Sequence, residues 1–313
     1  MKKVLSIFVF LYAFVSTSAQ NHQNNPGSNH GNKFEQLGTI LPTPNNYRTA
    51  SGAPGHEYWQ QRADYEINAY LDEEKLNLKG SETITYYNNS PDELEYLWLQ
   101  LDENDTSNTK DAGYQSSSTL AKQISSDRLK ATELPVKDNG FGINLEKVTD
   151  ANGNALYYVV NKTMMRIDLP KKLKKGETFK FKIDWNYNIP DRMKLGGRGG
   201  YEFFPEDGNY LFTMTQWYPR LCVYSDFQGW QNHQFTGRGE FALTFGNFKV
   251  KMNVPADHTI ASTGVGKNFS EVLTPEQLAR WQKAQNATEP IEIVTLDEAK
   301  KAEKSKSKNR KTW

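Results

Sequence analysis

Between Phe179 and Ile189 every second residue is bulky and apolar. Phe179, Phe181, Ile183, Trp185, Tyr187 and Ile189 alternate with Lys180, Lys182, Asp184, Asn186 and Asn188. On a helix these side chains would spiral round the axis; only an extended strand puts them all on one face. A strand leaves its amides and carbonyls to be satisfied by neighbours, so this run commits the chain to sheet. The same period returns at Tyr65, Ile67, Ala69 and Leu71, and at Phe248, Val250, Met252 and Val254, where Pro255 closes it.

The rest of the middle of the chain reads the same way. Asp72 to Lys75 supply a turn, Leu76 and Leu78 resume the alternation, Gly80 interrupts it, and Thr83 to Tyr87 continue with strand-favouring residues. Asn88 to Asp92 is dense in turn residues. Leu94 to Leu101 is apolar on both faces, which predicts a central strand covered on two sides. From Asp102 to Gly142 the chain is polar, with Ser116 to Ser118 and a short helix near Leu120 to Ile124. Asn152-Gly153 between Ile143–Val148 and Leu156–Val160 signals a hairpin. Met165, Ile167 and Leu169 form a further strand, as do Tyr210 to Gln216 and Phe241 to Phe245; Ile260 and Ala261 finish the unit. Glycines cluster at 196, 197, 199 and 200, which read as mobile hairpin turns, and again at 237 and 239. With about ten strands separated by turns, residues 58–265 are expected to form one mainly β domain, a saddle-shaped antiparallel β-sandwich.

The flanks differ. Lys2 and Lys3 precede an apolar run from Val4 to Val15, then Ser16 to Ala19. This is the pattern of a secretory signal peptide over residues 1–19, cleaved near Ala19. The run is shorter than the roughly 20 residues that span a bilayer, so no membrane span is expected. Residues 20–57 are polar, with His22 and His30, and read as a disordered leader. After Gly266 a helix–strand–helix extension is expected over 266–313, a short α/β carboxyl-terminal piece. Thr274 caps and Pro275 opens its first helix, Ile291 to Val294 is its strand, and Thr295 caps the second helix. Lys300 to Lys311 read as a solvated basic linker, and Trp313 as the start of a further element.

The chemistry is bounded by scarcity. Among 313 residues there are 38 basic and 37 acidic side chains, net +1, which offers no field for nucleic acid or an anionic membrane. Five histidines and one cysteine are present. His56-Glu57 opens an H-E pair, but Gln60 occupies the position that would complete H-E-x-x-H. His233 and His258 stand alone, and nothing has the ligand spacing of zinc. Cys222, between Leu221 and Val223, reads as a buried inert thiol. No G-x-S-x-G elbow occurs, and Gly196 to Gly200 lacks the Lys-Ser/Thr of a phosphate loop. No catalytic residue and no metal ligand is assigned in this chain.

Two stretches carry a resemblance. One runs from Pro54-Gly55-His56-Glu57-Tyr58-Trp59-Gln60-Gln61-Arg62-Ala63-Asp64-Tyr65 through Asn88-Asn89-Ser90-Pro91-Asp92 to Leu97-Trp98-Leu99-Gln100-Leu101. The other is Tyr210 through Pro219, then Trp230 to Gly264. Together, over roughly residues 54–313, they resemble the amino-terminal β domain of the aminopeptidase N family of zinc metallopeptidases in its exported bacterial form. The resemblance implies a following thermolysin-like domain with H-E-x-x-H, a downstream Glu ligand and a Gly-x-Met-Glu-Asn-type strand, none of which occurs here. The chain then reads as a member truncated before its catalytic domain, inactive alone, with zinc belonging to the full-length enzyme. The family's T-Q-x-E/Q-P motif maps onto Thr215, Gln216 and Pro219, and implies that Gln216 lies beside the first residue of a peptide substrate. Tyr218 stands where many members carry Glu or Gln to hold the α-ammonium.

Two other readings remain. A self-standing secreted β-sandwich could bind peptide or glycan through its aromatic surface. A polysaccharide hydrolase has only unassigned carboxylate pairs in its favour.

Overall fold

The computed structural model describes residues 44–107, 123, 125–126, 140–236 and 242–313. The export segment, His22, His30, Ser116 to Ser118, Gly237 and Gly239 lie outside those residues, as does nearly all of the helix expected near 120–124. The chain divides into two units, Met1–Tyr58 and Trp59–Trp313. Of the first unit, the described stretch is a local knot. Arg48 bridges Pro54, the Asn45 side chain accepts from the amides of Tyr47 and Arg48, and the Arg48 guanidinium lies over the Tyr58 ring.

The second unit is mainly β. Its strands are β1 (Arg62–Asp72), β2 (Asn77–Tyr87), β3 (Leu94–Gln100), β4 (Asn144–Asp150), β5 (Tyr158–Asn161), β6 (Met164–Leu173) and β7 (Thr178–Asn188), followed by β8 (Gly200–Phe204), β9 (Asn209–Thr213), β10 (Arg220–Leu221), β11 (Tyr224–Ser225), β12 (Gly229–Trp230), β13 (Phe248–Pro255) and β14 (Arg310–Thr312). A six-stranded sheet in the order β14-β13-β1-β2-β7-β4 faces a four-stranded sheet β10-β3-β6-β5, and two hairpins, β8-β9 and β11-β12, stand apart. The core between the sheets takes Ile67, Ile84, Phe181, Ile183 and Trp185 from the larger sheet and Leu97, Leu99, Met165 and Ile167 from the smaller. Each fully buried side chain of this kind contributes about 1.5–3 kcal/mol. The alternation read in β1 and β7 is realised: Phe181, Ile183, Trp185 and Tyr187 are buried while Lys180 and Lys182 are exposed.

Several elements depart from expectation, each for a local reason. Gly80 does not interrupt β2. It lets the Trp185 indole lie on the strand, where a Cβ at position 80 would stand 2.1 Å from Trp185 Cζ2. Asn152-Gly153 does turn the chain, with Gly153 at φ +90°, but the flanking strands join different sheets. The turn closes a short hairpin, in which Thr149 bridges Ala155 antiparallel and the Leu156 amide donates to the Val148 carbonyl; beyond it the two arms part into different layers. One pairing is parallel: β13 lies beside β1, with Tyr65 opposite Phe248 and Tyr70 opposite Asn253. The stretch 242–245 is not a strand, although the Phe245 carbonyl accepts the Ala63 amide and prolongs that parallel contact. In β3 the inward residues are Leu97 and Leu99, whereas Glu95 is exposed and Tyr96 and Trp98 are half-buried, so only one face is fully covered. The expected turn Asn88–Asp92 is present, and two of its residues, Asn88 and Ser90, are buried beneath it: Asn88 Nδ2 donates to the carbonyls of Asp92 and Leu173, and its Oδ1 accepts from Gln61 and Ser90.

Helices are few and short. α1 is Arg192–Leu195, α2 Phe269–Val272, α3 Pro275–Ala284 and α4 Leu296–Ala302. Thr274 and Thr295 cap α3 and α4 as expected, each with a full capping box closed by Gln277 or Glu298. Residues 291–294 form no strand; instead the Ile293 carbonyl accepts the Arg280 guanidinium, which also pairs with Glu298. The basic carboxyl end is not all solvated. Arg310–Thr312 pairs with β13 as an edge strand, the Arg310 guanidinium lies 3.8 Å from the Tyr70 ring centroid, and Trp313 meets Phe269 edge-on. Among the described residues no helix is long and apolar enough to cross a membrane.

Candidate functional site

The candidate residue, Gln216, sits where two parts of the sandwich unit are joined. β9 ends at Thr213, three residues before the end expected from sequence, and Met214 to Pro219 carry the chain to β10 in the smaller sheet. Gln216 adopts φ +54°, the left-handed region that non-glycine residues rarely occupy. Such a conformation costs about 1–2 kcal/mol and persists only where the flanks over-determine it.

Both flanks do so here. On the amino side, Thr215 Oγ1 is so close to Gly199 that a Cβ there would approach to 2.8 Å, and at Gly200 (φ +131°) a Cβ would meet the Pro190 carbonyl at 2.5 Å. The glycine cluster is therefore no hairpin turn. It follows α1, and two of its members permit close approach, Gly199 to Thr215 and Gly200 to Pro190 and Arg192. On the carboxyl side, the Trp217 ring lies 6.4 Å from Trp185, and the Tyr218 ring lies edge-on to Tyr65 at 5.6 Å and to Phe248 at 6.1 Å. The Gln216 side chain itself is half-buried, and its amide offers one acceptor and two donors.

Beneath this segment lies a group that the sequence reading passed over. Glu82 is 1% exposed in β2, opposite Ile67 of β1 and Ile183 of β7, and neither carboxyl oxygen has a hydrogen-bond partner. Burial alone holds its pKa well above the usual carboxylate range. Its nearest titratable neighbours are Tyr65, whose hydroxyl accepts the Leu221 amide, and Tyr218. Burial also pushes the Tyr218 phenol up to about 12. The signal was legible: Gly80, Glu82 and Ile84 share the parity of the inward face.

A buried ion pair lies alongside. Asp102, in a 3-10 turn over Asp102–Thr106, meets Arg220 of β10 at 2.6 Å without the alignment of a hydrogen bond, and both side chains are almost wholly enclosed. Burial outweighs the attraction of Arg220 and raises the Asp102 pKa. Next to it, burial with Asp102 and Asp105 nearby raises the Glu103 carboxyl to about 8. Cys222 follows β10; it is 2% exposed and burial raises its pKa, so the thiol is protonated and inert.

The remaining candidates are separately engaged. His233 Nε2 faces Gln228 at 2.7 Å, and His258 Nε2 faces Glu73 at 2.9 Å; His56 belongs to the first unit. Among the described residues no three His, Cys, Asp or Glu side chains are grouped to hold a metal ion. The described residues therefore bring together no set of three or four ligands of the kind that zinc requires.

No family model matches the sequence, and no curated protein matches it. Similar solved structures include crystal structures of an M1 zinc metallopeptidase from Deinococcus radiodurans. A mutant bound to a Tyr-Ser-Ala substrate is 15% identical over 67% of this chain and 37% of its own, with a TM-score of 0.35. A two-domain M1 zinc metallopeptidase mutant bound to L-tryptophan, also among the similar structures, is 14% identical over 69% of this chain and 39% of its own, at 0.33. The chain thus spans less than two fifths of the length of these structures.

Proposed function

We propose that this chain is the non-catalytic amino-terminal region of an exported zinc aminopeptidase, and that its β-sandwich forms one wall of the cleft that receives a peptide's amino-terminal residue. The sequence resemblance over residues 54–313 motivates the reading. The observation that carries it is Gln216: a neutral amide held in a strained backbone conformation by anchors on both sides. Strain of this kind gathers at sites where position matters more than local stability. Tyr218, at the place where the resemblance puts an acid or amide for the α-ammonium, is turned onto Tyr65 and Phe248. In this reading the wall supplies hydrogen bonds to the peptide through Gln216 and no charge through Tyr218. The zinc, the glutamate base and the activated water belong to the catalytic domain of the whole enzyme.

The test is the coding DNA beyond the Trp313 codon, together with activity of the purified chain. An H-E-x-x-H sequence within the next few hundred codons supports the reading, and its absence from that DNA overturns it. Zinc-dependent hydrolysis of aminoacyl-arylamides by the purified chain alone also overturns it.

A further inference from the structure

Glu82 presents a physical problem. A carboxyl buried in an apolar layer without a partner is costly, and native cores carry few such groups. Three neighbouring rungs of the larger sheet define its surroundings. On the inner face, Tyr65, Ile84 and Phe181 form one rung; Ile67, Glu82 and Ile183 the next; Ala69, Gly80 and Trp185 the third. Trp217 leans on Trp185, Tyr218 leans on Tyr65, and the rings of Trp217 and Tyr218 are 5.2 Å apart. The two aromatic anchors of Gln216 therefore sit on the rungs either side of the one that carries Glu82.

We propose that the Glu82 carboxyl is a proton-operated latch for the Met214–Pro219 segment. Protonated, it leaves Trp217 and Tyr218 seated on the β1–β2–β7 face. Ionised, it draws water to itself, and the segment above is the cover that must lift. That segment holds no regular secondary structure, whereas the cross-strand neighbours Ile67 and Ile183 are locked in the middle of the sheet.

The groups facing Glu82 favour its neutral form. β1 contributes the Tyr65 hydroxyl and the loop contributes the Tyr218 hydroxyl, both uncharged at neutral pH, while β7 contributes Ile183 and Trp185. The Asp102–Arg220 pair acts on Tyr218, with Arg220 the stronger of the two, whereas burial alone acts on Glu82. The folded state thus holds a proton that the unfolded chain releases near the ordinary glutamate pKa. Glu82 favours folding fully below that value, and this contribution is lost as pH rises towards the folded pKa. One linked proton changes the opening equilibrium tenfold per pH unit over that window.

The proposal is tested on the full chain by hydrogen exchange of the Gln216–Tyr218 amides between pH 5 and pH 8, with intrinsic exchange rates divided out. In the wild type their protection is expected to fall tenfold per pH unit, and in Glu82→Gln this dependence is expected to disappear. Identical pH slopes in the two proteins overturn the latch, as does a slope in the wild type that is shared equally by the β7 amides. Should Glu82→Gln not fold, Glu82→Met serves with the same readout. The measurement reads the position of the segment whatever it binds, so it fails or succeeds independently of the peptidase reading.

Discussion

The Trp185 indole occupies the space that a side chain at Gly80 would need, with Cζ2 2.1 Å and Cε2 2.3 Å from the position of a Cβ. Gly80 and Trp185 are direct partners in the β2–β7 ladder, so the largest buried side chain of the core rests on the one residue without a side chain to oppose it. Gly80→Ala is expected to destabilise the protein by about 1–3 kcal/mol through overpacking. Gly80→Val is expected to cost more, and Trp185→Leu combined with Gly80→Ala less than the sum of the single changes. Urea unfolding midpoints of the wild type, the three single variants and the double variant measure this; strict additivity would contradict the contact.

The Asp102–Arg220 pair joins the 3-10 turn to the edge of the smaller sheet. Removing one partner leaves the other charge buried, so Arg220→Met is expected to cost about 3–5 kcal/mol. Replacing both, as Asp102→Leu with Arg220→Met, is expected to recover most of that loss. A double variant as unstable as the single one would show that the pair acts through something other than mutual compensation.

Gln216→Gly is expected to stabilise the chain by about 1 kcal/mol, because glycine adopts the left-handed backbone without penalty. In the whole enzyme of the proposed reading the same change is expected to raise KM for peptides. Thermal unfolding of the chain and steady-state kinetics of the enzyme read the two effects separately.

Thr274 and Thr295 each close a capping box with a side chain three residues on. Thr274→Ala and Thr295→Ala are expected to cost about 1 kcal/mol each at their own helix. Exchange at the α3 or α4 amides is expected to speed up without a matching change at β2 or β7.

Glu103 adds a pH dependence of its own. Its folded pKa of about 8 exceeds the unfolded value of 4.5, so the folded state holds the extra proton. This contribution is complete below pH 4.5 and is lost as pH rises to about 8. Glu103→Gln is expected to flatten the fall of global stability over that range. If the wild-type and variant curves run parallel, Glu103 is not protonated in the folded chain.

The sheet was legible because period two is a strong local signal: Tyr65 to Leu71 and Phe179 to Ile189 needed no partner to be recognised as strands. The helix starts at Thr274 and Thr295 were legible because a capping box is closed within four residues. What failed was non-local. Gly80 reads as a breaker until Trp185 lies over it. Asn152-Gly153 closes the hairpin that it signals, but nothing local says that the arms then part into different sheets. Gly199 and Gly200 read as turn residues until Thr215 and Pro190 are placed against them. The basic tail read as solvated, because nothing in Arg310 to Trp313 announces that β13 offers an open edge.

Sequence alone determined that this chain builds one-sided strands, where its helices begin, and that its few histidines have no ligand spacing, since each is written in neighbouring side chains. Only the tertiary structure decided that Glu82 is sealed without a partner, that Asp102 faces Arg220, and that Gln216 is held in a strained conformation between two anchors. Those facts depend on which distant residues share a volume from which water is excluded. Exclusion of water turns an ordinary glutamate into a neutral acid, and the packing of Thr215, Trp217 and Tyr218 turns an ordinary glutamine into a fixed one.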